Sequence, residues 1–115
     1  MRWMLALLLS LFLVVATASA DEFVAGTEDV PLMPGLTFVT GSDLVFDKPE
    51  GRIVEAQAQG ALARAKVQAF YAASLPQLGW KKIGIDRWQR DAERLKLDFR
   101  GQDGHLTVGF TISPQ

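Results

Sequence analysis

Leu95-Lys96-Leu97-Asp98-Phe99-Arg100 alternates apolar and polar side chains, and His105-Leu106-Thr107-Val108-Gly109-Phe110-Thr111-Ile112 does so again after Gly101-Gln102-Asp103-Gly104. A period of two is the mark of a strand with one buried face. Pairing Arg100 with His105 across the four-residue loop sets Phe99 against Leu106, Leu97 against Val108 and Leu95 against Phe110. Every inward residue then meets an inward partner, as an antiparallel sheet with one wet face requires.

Upstream, Lys81, Ile83 and Ile85 alternate with Trp80, Lys82 and Gly84, and Trp88 begins another short strand. The register between Ile85, Trp88 and Leu95 stays open, because the turn can centre on Asp86-Arg87 or elsewhere. Asp43 to Ala58 reads as a further hairpin about Lys48-Pro49-Glu50-Gly51-Arg52, with Gly51 as the left-handed residue of a three-residue loop. Lys48 then faces Arg52. Leu44, Phe46, Val54 and Ala56 share one face, and Val45, Asp47, Ile53 and Glu55 the other. A slip of one residue would exchange the faces.

Between these hairpins lies a helix, predicted over residues 61–75. Six alanines raise its propensity, and Val67, Phe70, Tyr71 and Leu75 form one stripe at a 3.6-residue period. Pro76 cannot continue it, and Gly79 suits the cap that precedes Trp80. Leu36 and Phe38 suggest a short edge strand after Pro34-Gly35. The expected fold is therefore α+β: a two-layer sandwich in which an antiparallel sheet of about five to six strands, β-β-α-β-β-β-β, is covered on one face by a single helix. Leu44, Phe46, Val54, Leu95, Leu97, Phe99, Leu106, Val108 and Phe110 would pack under the helix stripe.

Residues 1–20 carry a different message. Arg2 precedes an apolar run from Leu5 to Ala16, and Ala18-Ser19-Ala20 ends it with small residues at the two positions a signal peptidase reads. This is the layout of a secretory leader, expected to be cut after Ala20. A membrane-spanning helix needs roughly 18 or more apolar residues, and Asp21-Glu22 follows in place of a basic stop-transfer cluster. The expected organisation is a signal peptide over 1–20, a loose mature N-terminus over 21–35, and one α+β domain over 36–115. The expected location is periplasmic or secreted, with membrane contact only through the leader before cleavage.

Composition narrows the function classes. Twelve basic and thirteen acidic residues nearly balance, so the strongly basic footprint of a nucleic-acid binder is missing. The chain has no Cys and a single His; zinc normally draws several such ligands, and no metal or other cofactor is expected. Asp98, Asp103 and the 101–104 loop read as turn residues before calcium ligands. His105 falls at a hairpin tip without a carboxylate to orient it, so no catalytic constellation is assigned.

Gly51-Arg52-Ile53-Val54-Glu55-Ala56, Phe70-Tyr71 and Leu75-Pro76-Gln77-Leu78-Gly79-Trp80 together resemble an uncharacterised family of small exported proteins of Gram-negative bacteria, whose helix ends in a Leu-Pro-x-x-Gly-Trp exit. The resemblance covers residues 30–112. It implies a structural junction and an address, and it brings no catalytic residues.

The expected function is a non-enzymatic binding or interaction module of the cell envelope. Two surfaces are candidates. One is a basic face of Arg94, Lys96 and Arg100, with Lys81, Lys82, Arg87 and Arg90 on neighbouring strands, facing an acidic partner or anionic lipid headgroups. The other is Val45 and Ile53, placed outward, packing on an envelope protein, on the N-terminal segment or on a second copy. The alternatives are a ligand-binding or enzymatic pocket between helix and sheet that uses Asp, Arg and Tyr71, and a membrane-tethered accessory subunit if the leader is retained.

Overall fold

Strand β6 (Glu93–Gln102) and strand β7 (His105–Pro114) form the long central hairpin. In the computed structural model, which describes residues 22–115, their turn is Asp103-Gly104, and Gln102 pairs with His105. Asp-Gly favours such a two-residue turn, so the loop is shorter than the four residues expected. Phe99 therefore meets Val108, Leu97 meets Phe110, and Leu95 meets Ile112. The pairing moves by two residues, which preserves the faces.

The other strands are β1 (Thr37–Phe38), β2 (Leu44–Lys48), β3 (Gly51–Gly60), β4 (Lys81–Gly84) and β5 (Arg87–Arg90), with helix α1 (Arg64–Ser74) between β3 and β4. The fold is α+β, with the order β-β-β-α-β-β-β-β. The antiparallel sheet runs β4-β5-β6-β7-β3, and the far side of β3 carries β1 beside Ala58 and Gln59 and β2 beside Gly51 to Glu55.

The β2–β3 hairpin corrects the expected register by one residue. Gly51, at φ 139°, joins the ladder opposite Lys48, which leaves only Pro49 and Glu50 in the turn. Val45 pairs with Val54, Phe46 with Ile53 and Leu44 with Glu55. An odd slip turns β2 over relative to β3. Leu44 and Phe46, expected in the core, stand on the outer face and are 42% and 52% exposed. Val45 lies on the Val54 side, so Val45 and Ile53 do not share a face.

Helix α1 begins later than expected, at Arg64, because β3 continues to Gly60 and the helix start is stitched to the β6–β7 turn. The Arg64 N–H donates to Asp103 Oδ1 at 3.0 Å, and the Gly104 N–H donates to the Leu62 carbonyl at 3.1 Å. Val67, Tyr71 and Leu75 are buried as the stripe requires, and Phe70 is partly buried. A 3-10 turn, Leu75–Leu78, carries Pro76, and Gly79 caps it at φ 90°, as the sequence predicts.

The segment expected to be a loose N-terminus belongs to the core. Val24, Val30 and Leu36 are buried with Val54, Ala56, Ala58, Trp80, Trp88, Leu95, Leu97 and Ile112. The reason is length. Eleven helical residues span only about 16 Å, whereas the ten-residue strands beneath span about 33 Å. Residues 22–36 close the uncovered part of the apolar face, held by a Val24 N–H to Val30 carbonyl bond of 2.8 Å and by the Tyr71 hydroxyl donating to the Pro31 carbonyl at 2.7 Å. Ala18 and Ala20 lie outside the described residues.

Candidate functional site

Alternation along each strand decides which charges reach the open face. Leu95 and Leu97 point into the core, so Arg94, Lys96, Asp98 and Arg100 project from the opposite side of β6. Trp88 is buried, so Arg87 and Gln89 project outward from β5. The register then places Arg87 opposite Lys96, Gln89 opposite Arg94, and Lys81 opposite Gln89. Lys81, Arg87, Arg94, Lys96 and Arg100 thus form one exposed surface on the face away from α1.

Two of the expected cations are elsewhere. Lys82 pairs with Trp88 on the inner side and holds its ammonium 5.9 Å from the indole. Arg90 lies 4.8 Å over the Trp80 ring and enters an ion cluster.

The outer cations are hardly neutralised. Among the described residues, Lys81, Arg87, Arg94 and Lys96 make no ion pair, and the exposed Arg100 has only Asp98, at 3.9 Å. Like charges placed directly across an antiparallel pair are destabilising, and Arg87 and Lys96 are direct partners. Ile83, at an irregularity in the β4–β5 ladder, lines a cleft of about 210 Å³ with Arg87, Arg94, Leu95, Lys96 and Ser113. This cleft can accept an oxyanion beside an apolar group.

The same face changes character toward β2. Thr107, Gly109 and Thr111 follow on β7, and Leu44, Phe46 and Ile53 make an apolar edge beyond Glu55. Val45 projects from the other side of β2, beside Val54 and Gly26, and is 49% exposed.

A second cluster, on the covered side, was invisible in sequence. Arg52 donates to Asp29 at 2.6 Å and to Glu93 at 2.7 and 3.1 Å, and Arg90 reaches Asp29 at 2.6 Å. Burial by itself would raise the Asp29 carboxyl, but hydrogen bonds and charge from Arg52 and Arg90 outweigh it and hold the group below its usual range. The Glu93 hydrogen bond, joined by Asp29, holds the Arg52 guanidinium above its usual value against a contrary effect of burial. Asp29 and Arg52 are far along the chain from each other and from the neighbouring Arg90 and Glu93, so no local pattern announces the cluster. With Trp80 Nε1 donating to the Asp29 carbonyl at 3.0 Å, they fasten the N-terminal segment to the sheet.

The chemistry-bearing residues weighed in sequence are spent on structure or left at the surface. Tyr71 is fully buried; burial pushes its hydroxyl well above the ordinary value, and the group is bonded to the Pro31 carbonyl and the Met33 N–H. Asp103 accepts from the Arg64 N–H, Asp98 lies against Gly109, and His105 is exposed beside the β6–β7 turn. Among the described residues no group of three or more His, Cys, Asp or Glu could hold a metal ion, and no helix is long and apolar enough to cross a membrane. Gln68, Tyr71, Lys82, Ile85, Asp86 and Trp88 border a cleft of about 150 Å³ between α1 and the β4–β5 hairpin. There the Asp86 carboxylate is occupied by Gln68 and Arg64.

Comparisons with protein-family models, with curated proteins and with solved structures return no match for this chain.

Proposed function

We propose that this is a small exported, non-enzymatic binding domain of the cell envelope that docks an anionic partner on the outer face of β4, β5 and β6. The observation that carries the reading is the set of unneutralised cations, Lys81, Arg87, Arg94 and Lys96, on a sheet face that no described element covers. The 1–20 leader and the resemblance to small exported Gram-negative proteins support the periplasmic or secreted address.

The test uses the exported protein and poly-L-glutamate as a soluble polyanion, titrated at low and at high salt. Binding that falls steeply with salt and weakens in Arg87→Gln and Lys96→Gln supports the reading. Absence of binding, or binding indifferent to both substitutions, overturns it. Intact mass checks the address, with a mature chain beginning at Asp21 as the expected result.

A second reading is favoured by one further observation. Leu44, Val45 and Phe46 are three consecutive exposed apolar residues on edge strand β2. An edge of this kind accepts an added strand from a partner or a second copy. Sedimentation of Phe46→Lys against the unaltered protein tests it: loss of a concentration-dependent dimer supports strand addition, and a monomer at all concentrations removes self-pairing.

A further inference from the structure

We infer that the anionic partner is a bilayer surface carrying anionic phospholipid headgroups, engaged by the β4–β5 hairpin. The inference rests on the docking role of the basic face and names its occupant. Charge alone would suit any polyanion; the hairpin adds an apolar tip. Ile85 occupies the two-residue turn between Gly84 and Arg87 and is 81% exposed, the most exposed large apolar residue in the described chain. Ile83, on the same hairpin, is 48% exposed and forms a wall of the cleft that holds Arg87, Arg94, Lys96 and Ser113.

Ile83 toward the basic face and Ile85 at the tip, bordering the α1-side cleft with Lys82, flank a cationic hairpin and match the boundary between headgroups and acyl chains. There the apolar side chains leave water while Lys and Arg remain at the depth of the phosphates. A dissolved acidic chain offers Ile85 no such environment. The acid nearest the tip does not oppose this contact. Asp86 follows Ile85 directly, but its side chain is only 14% exposed and turns toward α1, where Gln68 donates to both oxygens at 3.1 and 3.2 Å and Arg64 lies at 3.6 Å. On the basic face, Asp98 is drawn against Gly109 and Arg100. The cleft of about 210 Å³ is lined by three cationic side chains and Ser113, and would take one phosphodiester.

The test is sedimentation of the exported protein with vesicles of phosphatidylcholine alone and of phosphatidylcholine mixed with phosphatidylglycerol, alongside the poly-L-glutamate titration. The expected result is binding to the mixed vesicles only. Arg87→Gln and Lys96→Gln should each weaken it about fivefold, the effect of one cation at an anionic surface. Ile85→Ser should weaken vesicle binding about tenfold, because an inserted apolar side chain is lost, and should leave poly-L-glutamate binding unchanged. All three positions are exposed, and unaltered circular dichroism confirms that each variant folds. Equal binding to both vesicle types, or vesicle binding indifferent to Ile85→Ser, overturns the inference. If poly-L-glutamate binds and vesicles do not, the lipid assignment fails while anionic docking stands; if neither binds, both fail.

Discussion

The Asp98 carboxylate lies against Gly109, its direct partner across β6 and β7: a Cβ at position 109 would stand 2.6 Å from Oδ2 and 2.8 Å from Cγ. Gly109 does not have a positive φ, so the backbone itself accepts a side chain there. The glycine is required by the neighbour that occupies its space. An acid is thereby held close to the middle of the outer face, between the basic strands and the threonines of β7.

Gly109→Ala should therefore lower stability by about 1 kcal/mol, because Asp98 must move off a short, crowded path. In an Asp98→Ala background the same change should be neutral or stabilising, since glycine inside a strand costs about 0.5 to 1 kcal/mol relative to alanine. Urea denaturation of the four proteins gives the coupling directly. Additive effects would refute the contact.

The Asp29 cluster makes a pH prediction. Its carboxyl is depressed in the folded state, so folding releases a proton more readily than the unfolded chain does. The stabilisation is complete above the unfolded value of about 3.9 and is lost as pH falls through the lower folded value. Asp29→Asn should lose stability near neutral pH and converge with the unaltered protein in acid. Thermal melts across that range check the sign.

Val30→Ala should cost about 2 kcal/mol, because Val30 is fully buried in the core cluster that also contains Trp80 and Tyr71. Tyr71→Phe should cost about 1 kcal/mol through the lost bond to the Pro31 carbonyl. Both changes should also speed proteolysis within residues 22–36. If neither alters stability, the segment is not part of the folded unit.

Phe46→Ser should change stability by less than about 0.5 kcal/mol, as for an ordinary surface position, whereas Val54→Ala should cost about 2 kcal/mol. The register that was expected from sequence makes the opposite claim for Phe46, which it buries. Denaturation of the two variants separates the registers.

The central hairpin was legible because its signal is local: three inward apolar residues on β6 and four on β7 repeat at a period of two, and even a shift of two positions leaves them inward. The helix and its exit were legible for a similar reason, since Pro76 and Gly79 act on the backbone where they stand. The β2–β3 turn was not, because Pro49-Glu50-Gly51 fits a two- or a three-residue loop, and both faces of β2 carry apolar residues. Of the basic face, Arg94, Lys96 and Arg100 followed from alternation. Excluding Lys82 and Arg90 needed the register of β4 and β5.

Taken alone, then, the order of residues determined an antiparallel α+β domain, with the periodicities that assign most side chains to core or solvent. Tertiary structure decided which strand lies beside which, that residues 22–36 complete the core, and that Asp29, Arg52, Arg90 and Glu93 meet. The division has a physical cause. Backbone geometry and side-chain alternation are set by neighbours a few bonds away, whereas covering a sheet longer than its helix, and neutralising charges far apart in the chain, are settled only when distant segments compete for the same space.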